Sequence, residues 1–192
     1  MIYQKTRNTA ETQLKIAIAD DNSPSNIQTG VGFLDHMLTL FAFHSKLTIT
    51  IEANGDTEVD DHHVTEDIGI VLGQLLLEMV KSRTAFQRYG VSYIPMDESL
   101  ARAVVDISGR PYLSFNAELS KEKVGTFDTE LVEEFFRALV INARLTTHID
   151  LLRGGNTHHE IEGIFKSFAR ALKDALSDSD YDGTPSSKGV IE

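Results

Sequence analysis

A short motif, His-His-x-x-Glu, occurs twice in this chain of 192 residues. Its residues are His62, His63 and Glu66 in the first copy and His158, His159 and Glu162 in the second. Residues three or four positions apart share one face of a helix, so one histidine of each pair can converge with the glutamate on a single cation. The adjacent histidine points about 100 degrees away, toward a different metal or a neighbouring subunit. Two imidazoles beside a carboxylate suit a divalent ion such as Mn, Fe, Co, Ni or Zn, and no cysteine is present to supply a thiolate.

The same order of helix, strand and loop precedes both motifs. His36 lies in the helical stretch FLDHMLTLF, 62 − 36 = 26 residues before the first motif. Glu134 lies in LVEEFFRAL, 158 − 134 = 24 residues before the second. We interpret this order as an internal duplication within one domain, with halves at about 1–90 and 91–180. His36 taken alone is ambiguous, because a histidine in an apolar helix is often a satisfied core residue.

Basic residues are scarce, and four of them stand where they could serve an anion. They are Arg88 in FQRYG, Arg110 in SGRPY, Lys166 four residues after Glu162, and Lys188 in the Ser-rich tail. Each one taken alone is more often a surface cation. Together they could form a phosphate cradle, since arginine offers bidentate hydrogen bonds and a mobile tail can close over a ligand. His44 and His148, near predicted helix ends, are open to a helix C-terminal role or a site role.

The elements that must position these residues follow from hydrophobic periodicity. Alternation and β-branched content predict strands at Thr12–Ala19, Lys46–Ala53, Ala103–Ser108, Tyr112–Glu118 and Thr147–Arg153. Helical spacing predicts helices at Val31–His44, Val64–Val80, Thr129–Ala143 and Ile161–Leu176. Asp128 is the expected N-cap of the third helix. Strands mixed with helices of these lengths indicate an α+β or α/β arrangement of layers.

Charge and composition exclude several classes of partner. The chain has 18 Lys and Arg against 29 Asp and Glu, a formal net charge of −11, which argues against non-specific binding to nucleic acid or anionic lipid. No apolar run approaches the roughly 18 residues of a membrane span, and the N-terminus lacks the apolar centre of a secretory signal. We therefore expect a cytoplasmic protein. The segment 178–192 is rich in Ser, Asp and Gly and is expected to be a mobile tail.

Seven stretches distributed over the chain resemble the imidazoleglycerol-phosphate dehydratase family in its monofunctional form. They are FLDHML, DDHHVTEDIGI, IPMDESL, DISGRPY, LVEEFF, HHEIEGIFKSFARAL and PSSKGV. The resemblance implies dehydration of D-erythro-imidazole glycerol phosphate to imidazole acetol phosphate in histidine biosynthesis. It also implies two Mn2+ ions per chain, shared between subunits, and a 24-mer built from trimers. The implied fold is a duplicated α+β unit whose helices pack against β-sheets, ribosomal protein S5 domain 2-like.

The resemblance further assigns roles to individual residues. It places one metal on His36, His63, Glu66 and His159, and the other on His62, His158, Glu162 and Glu134. A histidine is common in the family at the last of these positions, so Glu134 would make that site slightly harder. Substrate contacts fall on His44, Arg88, Arg110, Lys166, Ser187 and Lys188. Glu11, in RNTAET, matches the family's catalytic carboxylate, which also contacts the substrate.

The expected chemistry requires both metals and a proton carrier. The proton to be removed lies on a carbon beside an imidazole ring, with no carbonyl group to acidify it. Metal ions acting as Lewis acids on the ring nitrogens would supply that activation. Glu11 is the expected acid/base group for proton transfer.

Two other functions share part of this pattern. A two-metal hydrolase acting on a phosphate ester would use the same metals and cations, and it would release phosphate. A non-catalytic metal-binding assembly protein would need no phosphate cradle, so alanine at Arg88 or Arg110 would be harmless. Neither alternative accounts for a resemblance over the whole chain, so the dehydratase is the preferred interpretation.

Overall fold

The computed structural model describes residues 1–179, 183, 185–189 and 191. The strands are β1 Ile2–Asn8, β2 Thr12–Ala19, β3 Asn26–Gln28, β4 Thr48–Gly55, β5 Tyr89–Met96, β6 Ser99–Asp106, β7 Tyr112–Asn116, β8 Lys123–Val124, β9 Phe127–Asp128 and β10 Thr146–Arg153. The helices are α1 Gly32–Ser45, α2 His62–Ser82, α3 Leu131–Ala143 and α4 Thr157–Leu176.

Two four-stranded sheets have the same topology. Their strand orders are β1-β2-β4-β3 and β5-β6-β10-β7, and a short pair, β8-β9, stands apart. In the spatial order given, the first, second and third strands of each sheet pair antiparallel, and the fourth strand pairs parallel with the third. The registers also correspond, because Ala19 pairs with Thr48 in one sheet and Asp106 pairs with Thr146 in the other. The α+β class is therefore confirmed, and the two sheets share one strand arrangement.

The four helices lie between the two sheets. Strand β2 alternates buried and exposed residues, so its apolar face turns toward α2, while α4 packs on β5 and β6. Between the sheets, α1 packs on α4 and α2 packs on α3. Among the described residues, five phenylalanine side chains are fully buried, and the ring centroids of Phe136 and Phe165 lie 4.8 Å apart. Helices enclosed on this scale derive their stability mainly from packing.

Two glycines allow α2 and α3 to approach closely. A Cβ at Gly73 would lie 2.4 Å from the carbonyl oxygen of Leu139, and one at Gly69 would lie 2.8 Å from that of Phe135. Contacts this short cannot accommodate a side chain without moving backbone. The spacing of four residues places both glycines on the same helix face, where small residues permit close packing.

Several sequence predictions need correction. Asp128 is not the N-cap of α3, because it lies in β9 and pairs with Lys123, and Glu130 flanks the helix instead. His148 lies in β10, not near a helix end. Helix α4 begins four residues earlier than predicted, because the Asn156 side chain accepts hydrogen bonds from the first backbone N–H groups. The first strand of each sheet, β1 and β5, was not predicted.

The predicted mobile tail, 178–192, includes positions 180–182, 184, 190 and 192, which lie outside the described residues. Its mobility stays a prediction. Within the part of the chain that is described, no helix combines the length and the apolar character required to cross a membrane.

Candidate active site

Contact between α1 and α4 assembles a group of two histidines and a glutamate. Nε2 of His36 and Nε2 of His158 each lie 3.0 Å from Oε1 of Glu162. His158 and Glu162 are one helical turn apart on α4, whereas His36 comes from the facing side of α1. The ligand atoms of the three side chains all lie within 4.8 Å of one another. This geometry is compatible with a single bound cation.

The carboxylate of Glu162 is held in its charged form. It is almost fully buried, and its second oxygen accepts a hydrogen bond from Nζ of Lys166. Burial by itself would raise the pKa of Glu162, but hydrogen bonds from Lys166, His36 and His158 lower it to about 2. Two imidazole nitrogens with one anionic oxygen form the donor set that borderline divalent ions prefer. The residues therefore fit a metal of the expected type.

This grouping differs from the one that the resemblance implied. His36 was assigned with His63, Glu66 and His159, but within one protomer it lies beside His158 and Glu162. The reason is tertiary, because α1 packs on α4. Glu134 lies in the first turn of α3, and it belongs to neither group of metal-ligand type found among the described residues.

The first motif opens helix α2. Asp60 accepts a hydrogen bond from the backbone N–H of His62, whose Nε2 lies 3.9 Å from Glu66. The ring of His63 turns to the other side, where Nδ1 contacts both carboxylate oxygens of Asp56 at 3.0 and 3.1 Å. The hydrogen bond to Asp56 raises the pKa of His63 above its usual value. The two adjacent rings thus face different directions, as their helical positions predict.

Glu11 reaches this group from the turn between β1 and β2. Its carboxylate lies 3.8 Å from Nε2 of His63 and is 54% exposed. The turn is fixed at both ends, because Thr9 accepts from the backbone N–H of Glu11 and Thr12 donates to the buried Asp67 at 2.5 Å. An anchored backbone with an exposed carboxylate is suitable for proton transfer to a bound molecule.

In the second half, His159 has a different set of neighbours. Its Nδ1 lies 3.2 and 3.3 Å from the two oxygens of Glu98 and 3.9 Å from Asp97. Glu98 also accepts from the backbone N–H of Asn156 at 2.7 Å. Hydrogen bonds from its own backbone, from Asn156 and from His159 lower the pKa of Glu98 to about 2. Asp97, Glu98 and His159 form the second group of ligand-type side chains found in the described part of the chain.

Sequence reasoning missed the acidic residues at Asp56, Asp97 and Glu98. The last two lie in IPMDESL, a stretch that supported the resemblance without receiving a role. Asp56 follows β4 in a polar loop, where a carboxylate is ordinarily solvated. Their proximity to histidines depends on tertiary structure.

Among the expected phosphate residues, Arg88 contacts the tail segment. The Arg88 guanidinium donates to Asp106 at 2.8 Å and to the carbonyl oxygen of Pro185 at 2.9 Å, which brings the tail segment beside it. Ser187 and Lys188 follow two and three residues after Pro185. Arg110 lies in the turn after β6, where its backbone N–H donates to Ser108. Lys166 remains on α4 with Glu162.

His44 lies in the last turn of α1 as predicted. Its Nδ1 is buried and has no hydrogen-bond partner among the described residues. Burial, together with the charges of Arg170 and Lys166, lowers the pKa of His44. The neutral ring therefore lies close to the cationic side of α4.

An imidazole–carboxylate donor set held between packed helices, with a lysine on the same carboxylate, is typical of metal-dependent enzymes. Comparison with known proteins narrows this class. The sequence profile of imidazoleglycerol-phosphate dehydratase matches residues 29–172. The chain is 82% identical over 192 residues to imidazoleglycerol-phosphate dehydratase of Staphylococcus saprophyticus and 78% identical to that of Staphylococcus aureus, and it covers all of both.

Solved structures agree with the sequence relatives. The crystal structure of imidazoleglycerol-phosphate dehydratase from Staphylococcus aureus superposes with a TM-score of 0.88 at 75% identity, covering 93% of this chain and 100% of that one. The corresponding structure from Pyrococcus furiosus gives a TM-score of 0.85 at 37% identity, with coverage of 97% and 100%. This chain belongs to the imidazoleglycerol-phosphate dehydratase family, and it is a hydro-lyase.

Proposed function

We propose that the chain converts D-erythro-imidazole glycerol phosphate to imidazole acetol phosphate and water in histidine biosynthesis, with Mn2+ as cofactor. The observation that supports this most directly is the convergence of His36, His158 and Glu162 at the contact between α1 and α4. The family and the identity to relatives support the same reaction. Bound metal would act as a Lewis acid on the substrate imidazole.

Two metal sites are proposed, related by the repeat. Within one protomer, residues of both sites meet where His36, His158 and Glu162 converge. Together with Glu134 and His62, two of these residues, His158 and Glu162, form one of the two metal sites that the resemblance implies. The other is His36, His63, Glu66 and His159, and each site would draw ligands from more than one subunit.

His63 and His159 would complete the sites of neighbouring subunits. Their Nδ1 atoms contact carboxylates of their own protomer, while their side chains remain 32% and 25% exposed. Neither lies in the α1–α4 group. This supports the expected assembly, a 24-mer with two Mn2+ ions per chain and sites at subunit boundaries. We place the enzyme in the cytoplasm.

Phosphate recognition is assigned to Arg88, Arg110, Lys166, Ser187 and Lys188. Arg88 is already fixed by Asp106, so its guanidinium is oriented before ligand binding. Its bond to Pro185 supports a role for the tail in covering the phosphate. His44 would contact the same substrate from the end of α1.

Glu11 is assigned the acid/base step. The substrate must lose a hydroxyl group and a carbon-bound proton, and a carboxylate held by its turn but open to solvent can carry that proton. Its contact with His63 supports a position beside a metal-binding imidazole.

The decisive experiment incubates Mn2+-loaded protein with imidazole glycerol phosphate and follows ketone formation. The dehydratase predicts one ketone per substrate and no inorganic phosphate. Phosphate release without ketone would indicate the hydrolase alternative. Metal binding without either product would overturn the proposed reaction.

A further inference from the structure

The second histidine of each motif is contacted at the same ring nitrogen by a carboxylate. Asp56 lies at 3.0 Å from Nδ1 of His63, and Glu98 lies at 3.2 Å from Nδ1 of His159. A carboxylate accepts hydrogen bonds, so in each case the neutral ring carries its proton on Nδ1. The lone pair of Nε2 is then free for a metal ion.

The two carboxylates come from places that do not correspond in the repeat. Thr48 begins β4 opposite Ala19, and Thr146 begins β10 opposite Asp106, so Thr48 corresponds to Thr146 in the repeat. Counting eight residues onward from each makes Gly154 the counterpart of Asp56. The β1–β2 and β5–β6 hairpins have equivalent registers, so Glu98 in the turn of the second corresponds to Glu11 in the turn of the first. The same nitrogen is therefore reached by different elements in the two halves.

Packing explains why the second half cannot use the first arrangement. A Cβ at Gly154 would lie 2.4 Å from Oε1 of Glu160, whose carboxylate is fully buried and accepts from the Gly155 N–H at 2.7 Å. A side chain at position 154 would displace the Glu160 carboxylate from its hydrogen bonds to Gly155 and Ser120, which favours a carboxylate from another segment. Glu98 fills this role, while its counterpart Glu11 approaches His63 from the Nε2 side.

We propose that Asp56 and Glu98 are positioning residues that hold His63 and His159 in the Nδ1–H tautomer and orient Nε2 toward a metal ion. This proposal rests on the metal-dependent function proposed above. Outer carboxylates of this kind raise ligand basicity and fix the ring plane. Their recurrence at one nitrogen, from two unrelated segments, indicates a shared requirement of both rings.

The test titrates full-length, metal-free protein with Co2+ and follows the visible absorption of the bound ion. Asp56→Asn and Glu98→Gln keep the shape of each side chain and remove its charge. We expect Co2+ affinity to fall by about 10- to 100-fold in each variant. Exposed Glu58→Gln and Glu118→Gln serve as matched controls, and we expect both to bind Co2+ like the wild type.

Each outcome has a distinct meaning. Unchanged affinity in both positioning variants would overturn the proposal, whereas a wild-type protein that binds no Co2+ would overturn the metal-dependent function itself. An equal loss in Asp97→Asn would place the cation on the Nδ1 side of His159 and also contradict the proposal.

A folding defect can be separated from positioning. Glu98 also holds the N–H of Asn156, so circular dichroism of the metal-free variants is recorded alongside. If Glu98→Gln loses helix content, the Co2+ affinity of Asp56→Asn is the result that tests the proposal. Asp56→Glu restores the charge, and recovery of Co2+ affinity relative to Asp56→Asn is the expected result. Failure of that rescue in a folded protein would count against positioning.

Discussion

Oε1 of Glu162 lies 3.0 Å from Nε2 of His36, although the two residues are 126 positions apart. The same oxygen is 3.0 Å from His158. A single carboxylate thus joins α1 to α4 at the point where the donor atoms of the candidate metal site converge. The site depends on helix packing as much as on the motif.

Glu162→Gln should remove the anionic oxygen from this group while keeping its volume. We expect Co2+ affinity to fall by more than the roughly 100-fold upper range for loss of an outer partner, because a ligand itself is changed. Absorption titration of metal-free protein measures the effect. His148→Gln, an exposed strand histidine outside both groups, is the control. Equal affinities for wild type and Glu162→Gln would contradict the assignment.

Arg88→Lys should impair phosphate binding, because lysine keeps the charge but loses the planar, bidentate guanidinium. We expect KM for imidazole glycerol phosphate to rise by about 10-fold or more, since hydrogen bonds to charged groups contribute roughly 1.5–3 kcal/mol. Steady-state kinetics at saturating Mn2+ measure it. Arg102→Lys is a matched control, because Arg102 also pairs with an aspartate, Asp150, on its own sheet. Similar KM values in both variants would contradict the assignment of Arg88 to phosphate binding.

Gly73→Ala should destabilise the fold through the α2–α3 contact. Its Cβ would lie 2.4 Å from the backbone oxygen of Leu139, so the helices must separate. We expect a loss of about 1–3 kcal/mol in the free energy of unfolding, as for other overpacked cores. Urea denaturation measures it, with Gly32→Ala as control because a Cβ there meets nothing within 4 Å. An unchanged urea midpoint would contradict the prediction, because it would show that α2 and α3 accommodate the added Cβ without loss of stability.

His44 should contribute a pH dependence to stability. Burial first, and then Arg170 and Lys166, lower its pKa in the folded chain below the ordinary value of 6.5. The unfolded chain therefore binds the proton more readily, and stability falls as the pH drops from about 6.5 toward the folded pKa. His44→Leu should reduce this loss. Urea denaturation of metal-free wild type and His44→Leu at pH 7.5 and 5.5 measures the difference. An equal drop of the urea midpoint in both proteins would contradict the burial of the ring.

Much of the fold follows from local periodicity. Strand β2 has the predicted bounds, Thr12–Ala19, because its buried and exposed residues alternate regularly. Strand β1 was missed because its side chains are mostly exposed and only Tyr3 and Arg7 are half-buried. Such a strand is defined by its backbone pairing to β2, which leaves little trace in hydropathy.

Contacts within one helix of the site could be predicted from the sequence, but contacts between elements could not. The spacing of His158 and Glu162 is a property of one helix, so the sequence indicates their contact. Whether His36 joins them depends on which helix α1 packs against. The partnership of Glu98 with His159 likewise requires the β5–β6 turn to reach the start of α4. Periodicity within each element carries no information about such contacts.

Glu11→Gln tests the acid/base assignment most directly. The amide keeps the size of the side chain and its backbone bonds at the turn, but it cannot exchange a proton near neutral pH. We expect kcat to fall by about 100- to 10,000-fold, the usual contribution of general acid–base catalysis, with KM and Mn2+ content little changed. Glu58→Gln, an exposed carboxylate in the loop after β4, should retain full turnover. Because Glu11 lies 3.8 Å from His63, a parallel loss of metal would instead assign it to metal binding, and near-normal turnover would exclude it from proton transfer.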